Sequence, residues 1–170
     1  MRFKIICLLL AVVGIINLVS CEKINNDSLK GFTVLIDLGE YGKWNTYGVH
    51  ALGDYRFFNR FKGIPSNFPY NVNTYTGFGG ILLIMGMDSS TGNYAPVAFD
   101  AACPVENRMD VVVGIDSGNF DAVCPKCGSH YDVLMGSGGP LSGPAITHRY
   151  GLRMLKVYSS NNGGYIITNS

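Results

Sequence analysis

Five cysteines carry the first chemistry visible in this chain of 170 residues. Cys124 and Cys127 enclose Pro125 and Lys126. Such a C-x-x-C knuckle is a short turn that points two sulfurs at one centre, as tetrahedral thiolate sites require. Cys103 stands upstream, at the predicted end of a strand, and could supply a third sulfur. Zinc, a redox disulfide and an iron–sulfur centre all use such a pair, so the spacing alone leaves the three open.

The other two cysteines belong to the N-terminus. Met1-Arg2-Phe3-Lys4 is a short positive region, and Ile5 to Ile16 is an apolar run of twelve. That is too short to span a membrane, which takes about 20 residues, and suits a signal peptide. Leu18-Val19-Ser20-Cys21 then resembles the bacterial lipobox. The resemblance implies that residues 1–20 are removed with Cys7 and that Cys21 is acylated. Two or three acyl chains hold a protein stably on a lipid membrane. The expected location is the bacterial cell envelope, lipid-anchored at the outer membrane or a periplasmic face. Residues 21–30, polar from Glu22 to Lys30, read as a lipidated tether, and residues 31–170 as one domain. Cys103, Cys124 and Cys127 remain, and an odd number in an exported protein cannot all pair within the chain.

Composition narrows the function further. Charged residues are 15% of the chain and apolar residues 47%, which rules out wholesale disorder. Without Arg2 and Lys4, 11 basic residues face 12 acidic ones. Nothing in that balance provides a nucleic-acid surface, so no nucleic-acid partner is expected. No ordered nucleophile–base set, carboxylate pair or phosphate-cradling loop stands out, so no independent catalytic site is expected.

The elements that must position the cysteines read as all-β. Expected strands are 32–37, 55–61, 80–85, 95–100, 109–115, 120–123, 131–134, 152–158 and 165–168, with turn chemistry at Asp116 to Asn119 and Asn161 to Gly164. Gly80 to Met85 is continuously apolar between glycines, which predicts a strand buried on both faces. No amphipathic helix is expected. The aromatic-rich stretch 43–79 has little period and reads mainly as core and loop packing.

The block from Asp100 to Ala145 resembles the cluster-binding part of Rieske iron–sulfur proteins. It carries Cys103-Pro104-Val105, then Cys124-Pro125-Lys126-Cys127-Gly128-Ser129-His130-Tyr131-Asp132, then Gly143-Pro144-Ala145. The resemblance implies a Rieske-like antiparallel β-sandwich with a small two-loop cluster-binding subdomain at about 100–150. It implies a [2Fe–2S] cluster on Cys103 and Cys124, hydroxyls of Ser129 and Tyr131 donating to sulfur, and a shielding loop at Pro144. The two histidine positions of that pattern are Val105 and Cys127. One imidazole is thereby replaced by a thiolate and the other by a side chain that cannot ligate, whereas two imidazoles are what raise a Rieske potential.

Two functions follow. The first is a membrane-anchored module binding [2Fe–2S], zinc or an iron ion on Cys103, Cys124 and Cys127. Its fourth ligand would come from His130, Glu106, Asp110 or solvent, and an electron-transfer role with an unknown redox or protein partner would go with it. The second is a cluster-less structural or interaction lipoprotein with a disulfide at the same place. His50 and His148 read as ordinary polar residues.

Overall fold

The apolar run that begins at Ile81 is the wall between two cores. In a computed structural model describing residues 23–88 and 90–169, it forms strand β4, Ile81–Met87. Side chains alternate across a strand. Ile81 and Leu83 therefore enter one apolar cluster, while Leu82 and Ile84 enter a second on the opposite face. Burial on both faces is why this strand lacks polar alternation.

β4 lies inside a seven-stranded antiparallel sheet. Its members are β1 (Val34–Glu40), β2 (Tyr55–Phe58), β3 (Tyr75–Thr76), β4, β5 (Tyr94–Asp100), β10 (Met154–Ser159) and β11 (Gly163–Thr168), in the order β2-β4-β5-β10-β11-β1-β3. The sheet curls so far that its two edges approach: the Arg60 amide and guanidinium donate to Thr76 Oγ1 (3.3 Å) and the Thr74 carbonyl (3.0 Å). Inside the curl sit Val34, Ile36, Leu38, Phe58, Ile81, Leu83 and Ile167. A second sheet of four short strands packs against the other face of β4 and β5. It comprises β6 (Gly114–Ile115), β7 (Ala122–Val123), β8 (His130–Tyr131) and β9 (Pro140–Ser142), paired in sequence order. Strands and bridges make up 37% of the described residues and helix 8%, so the protein is all-β as expected.

Two short helices were not legible in the sequence. α1, Tyr41–Tyr47, lies partly in the stretch read as irregular. Seven residues are too few to display a helical period, and no side chain caps its start. Packing supplies what propensity does not. Trp44 is buried against the curled sheet, with its ring 4.5 Å from that of Tyr165. The Tyr41 amide donates to the Asn162 carbonyl of the β10–β11 turn at 3.0 Å. Part of the aromatic stretch packs as expected: Phe68 is buried, with its ring centroid within 5.3 Å of those of Tyr47, Phe58 and Tyr70, whereas Tyr55, Phe61 and Tyr75 are exposed. α2, Pro144–His148, follows β9 and begins at the proline of the Gly-Pro-Ala segment, a residue well suited to a first helical position.

Residues 1–22, with the expected signal peptide and Cys21, lie outside the described residues. The stretch read as a tether is laid along the domain from Asn25 onward. Asn25 bridges to Tyr150, and Leu29 is buried with Phe78 and Ala102.

Candidate metal centre

Cys103 is delivered by β5. Three residues before it, the buried Asp100 carboxylate accepts the backbone N–H groups of Phe78 (2.7 Å), Gly79 (2.9 Å) and Ala102 (3.0 Å). This ties the entry of β4 to the exit of β5. Beyond it the chain makes a loop in which the Cys103 amide donates to Val111 O (2.9 Å) and the Asn107 amide to Cys103 O (2.9 Å). Nothing in the sequence singled out Asp100, because its three partners become neighbours only when the strands pair.

Cys124 and Cys127 are delivered by the β7–β8 turn. The Gly128 amide donates to Cys124 O (3.0 Å) and the Cys124 amide to Ser129 O (2.9 Å). Gly128 closes this turn with φ +68°, a left-handed conformation that glycine adopts without steric cost. A third segment holds the turn from outside. Gly143 has φ +76°, and a Cβ there would stand 2.8 Å from Ser129 Cα. Only glycine lets the start of α2 lie so close. Ala145 then donates its amide to the Ser129 hydroxyl at 3.1 Å. Pro144 itself is exposed at the head of α2. An ion pair between Lys126 and Glu106 joins the two cysteine loops, a second contact that spacing did not reveal.

These segments bring together the three predicted cysteines. The Sγ atoms of Cys103, Cys124 and Cys127 all lie within 4.8 Å of one another, and those of Cys103 and Cys127 are 3.7 Å apart. All three are free thiols; a disulfide would need its sulfurs at about 2.05 Å. Cys103 and Cys124 are buried, while Cys127 is half-buried and opens the site to solvent. Ser129 and Tyr131, both fully buried, approach the sulfurs as expected. The Tyr131 hydroxyl is 3.4 Å from Cys103 Sγ, and the Cys127 thiol donates to the Ser129 hydroxyl at 3.2 Å.

The environment separates the thiols. Burial pushes Cys103 up to about 12, with the Tyr131 hydrogen bond opposing in part. Burial also works against ionisation of Cys127, but hydrogen bonds from Ser129, Cys124 and Cys103 outweigh it and hold that thiol below its ordinary value. In the metal-free protein Cys127 therefore ionises before Cys103.

Three thiolates at about 2.3 Å from one tetrahedral ion stand about 3.8 Å apart. The Cys103–Cys127 separation of 3.7 Å matches that edge, so the three sulfurs could hold one metal ion. A [2Fe–2S] rhomb fits less well. It needs four protein ligands shared between two irons. Val105, at one histidine position, packs into the second core. Cys127, at the other, lies beside Cys103 instead of being set apart over a second iron.

No side chain considered as a fourth ligand joins the sulfurs. His130 Nδ1 is 3.4 Å from the Asp121 carboxylate, Glu106 pairs with Lys126, and Asp110 pairs with Arg108. His50 is 3.3 Å from Asn45 O, and His148 stacks on Tyr150. Comparison with protein families, with curated proteins and with solved structures finds no match to this chain.

Proposed function

We propose that this protein is a metal-binding module that holds a single thiolate-loving ion on Cys103, Cys124 and Cys127. It is carried on a bacterial membrane by acylated Cys21 and has no catalytic site of its own. The observation that carries the reading is the convergence of three sulfurs, from two loops far apart in sequence, all within 4.8 Å of one another and with one edge at 3.7 Å. Thiolate ligands favour zinc, copper(I) and iron. The fourth position falls to solvent or an incoming group on the Cys127 side, the exposed side of the site.

Zinc best suits a site with no carboxylate or imidazole among the ligands and no geometric demand of its own. Iron is the second reading, favoured by the Tyr131 and Ser129 hydroxyls beside Cys103 and Cys127. Once the sulfurs are thiolates those hydroxyls are placed to donate to them, and bonds of that kind withdraw charge from sulfur and tune a redox centre. An electron-transfer role and a redox partner belong to that iron reading. The competing fate of the same thiols is oxidation, with Cys103 disulfide-bonded in a structural lipoprotein.

Metal analysis and thiol titration of protein purified without oxygen test this. One metal equivalent per chain is expected, lost in Cys124→Ala, with thiolate-to-metal charge transfer after cobalt substitution. Metal-free protein with one titratable thiol of the three would overturn the reading in favour of the disulfide.

A further inference from the structure

If Cys21 is acylated, the chain between the lipid and the fixed body of the protein is very short. The Asn25 amide donates to Arg149 O at 2.8 Å and the Gly151 amide to Asn25 O at 3.0 Å. Asn26 Nδ2 donates to Ser137 O at 3.3 Å, and Arg153 Nη2 to Leu29 O at 2.8 Å. The backbone is thus anchored from Asn25 onward. Only Glu22, Lys23 and Ile24 separate it from Cys21. Four Cα steps reach at most about 14 Å even when fully extended. A bilayer is about 40–45 Å thick in all against about 30 Å of hydrocarbon, so the headgroup region of one leaflet takes up about 5–8 Å of that reach. Asn25 is therefore held within about 10 Å of the headgroup surface even with the link fully extended, and the face around it is the one turned toward the bilayer.

That face has the composition of a lipid contact. Ile24 is 41% exposed, Leu141 48% and Ile146 49%. Ile24 lies over Gly139 and Gly151, where an added Cβ would stand 3.1 Å and 2.9 Å from it. Leu141 follows in β9, Ile146 in α2, and α2 is followed at once by Arg149, whose carbonyl holds Asn25. Isolated apolar side chains on a surface are ordinary. Here three of them occur on segments bonded to, or continuous with, the segments that fix the anchored stretch, and Lys23 and Asp27 flank Ile24 on that stretch. Exposed apolar side chains with a lysine beside them are what an interfacial surface presents to a lipid headgroup layer.

We infer that the face built from Lys23, Ile24, Leu141 and Ile146 is seated directly on a phospholipid bilayer, so that the lipid anchor fixes the orientation of the domain as well as its location. This rests on the lipid-anchor reading. The cysteine site is thereby held near the membrane, because α2 connects the two: its Ala145 amide holds Ser129 beside Cys127, and Arg149, directly after it, holds Asn25. A tether would let the site sweep freely; a seated domain presents it at one height.

The full-length acylated protein can be reconstituted into vesicles of phosphatidylethanolamine and phosphatidylglycerol containing a lipid with a photoreactive headgroup. Mass spectrometry then maps the labelled peptides. Labelling of 23–24 and 141–149 should exceed that of 41–61, which holds α1 and β2, by several-fold. Equal labelling of both regions would overturn the inference. Leu141→Asp combined with Ile146→Asp should keep the thermal unfolding profile and reduce labelling of 141–149 several-fold; unchanged labelling would also overturn it. Detection of the acyl group on the Cys21 peptide keeps the premise separate. An unmodified Cys21 and protein that fails to float with vesicles would sink the anchor reading, and the seated face with it.

Discussion

The Tyr131 hydroxyl lies 3.4 Å from the Cys103 sulfur at the closed end of the thiol site, and both residues are fully buried. The phenol is an O–H placed to donate to Cys103 when that sulfur carries charge. Burial and the neighbouring Cys103 hold the phenol itself well above its ordinary ionisation range, so it remains a donor. Tyr131→Phe keeps the ring in the second core and removes only this bond. Loss of such an outer partner typically weakens metal binding 10–100-fold. About a tenfold loss in competition with a chromophoric chelator is expected, and unchanged affinity would remove Tyr131 from the site.

His130→Ala should leave metal stoichiometry intact, because the imidazole faces Asp121. Metal analysis beside wild type decides this. Lost metal in a folded variant would bring His130 back as the fourth ligand.

The raised Cys103 thiol sets a pH dependence for the metal-free protein. Its folded value is about 12 against an ordinary 9.0. Between those values the unfolded chain has released a proton that the folded chain still holds. Stability is therefore full below about pH 9 and falls as the pH rises toward 12. Urea midpoints at pH 8 and pH 10.5 should show the decline, and Cys103→Ala should flatten it. Over the same range Cys127, held below its ordinary value, should react with iodoacetamide first, as peptide mapping would reveal.

Asp100→Ala should be the most damaging change outside the cysteines. It leaves the buried N–H groups of Phe78, Gly79 and Ala102 without an acceptor. Each such group costs about 1–3 kcal/mol. A loss of at least about 3 kcal/mol in urea unfolding is expected, and less than about 1 would show that the clamp is dispensable.

Two glycines make a paired test. Gly143→Ala forces a side chain into a left-handed position and toward Ser129, and should cost about 1–3 kcal/mol with weakened metal binding. Gly42→Ala, in α1 with nothing within 4 Å of the added carbon, should be neutral or stabilise by up to about 1 kcal/mol. The Trp44 fluorescence of each variant during unfolding reads both.

The cysteine site was legible because its signal is local: the C-x-x-C turn and the residues after it lie within one short segment, and Cys103 ends a plausible strand. The all-β class was legible from glycine-bounded apolar runs, and β4 from its lack of alternation. What was hidden depends on partners distant in sequence. Asp100 reads as an acid ending a strand until Phe78 and Gly79 are brought to it. Residues 23–30 read as polar spacer, since Leu29 alone hints that they dock. β3 and β9, of two and three residues, are too short for any period, and α1 exists because Trp44 finds a core to fill. That His130, Glu106 and Asp110 each have another partner is a matter of side-chain direction, which spacing does not carry.

β4 and β5 contribute alternate side chains to both apolar clusters, so neither cluster has a complete wall of its own. The thiol-bearing layer cannot come apart without baring Leu82, Ile84 and Phe99 on the strands that also close the curled sheet. Heat or denaturant should therefore melt the two layers together, in one cooperative step with equal calorimetric and van't Hoff enthalpies. An ion bound at the sulfurs would then be felt at Trp44, in the other cluster, as a delay in the unfolding of the entire domain.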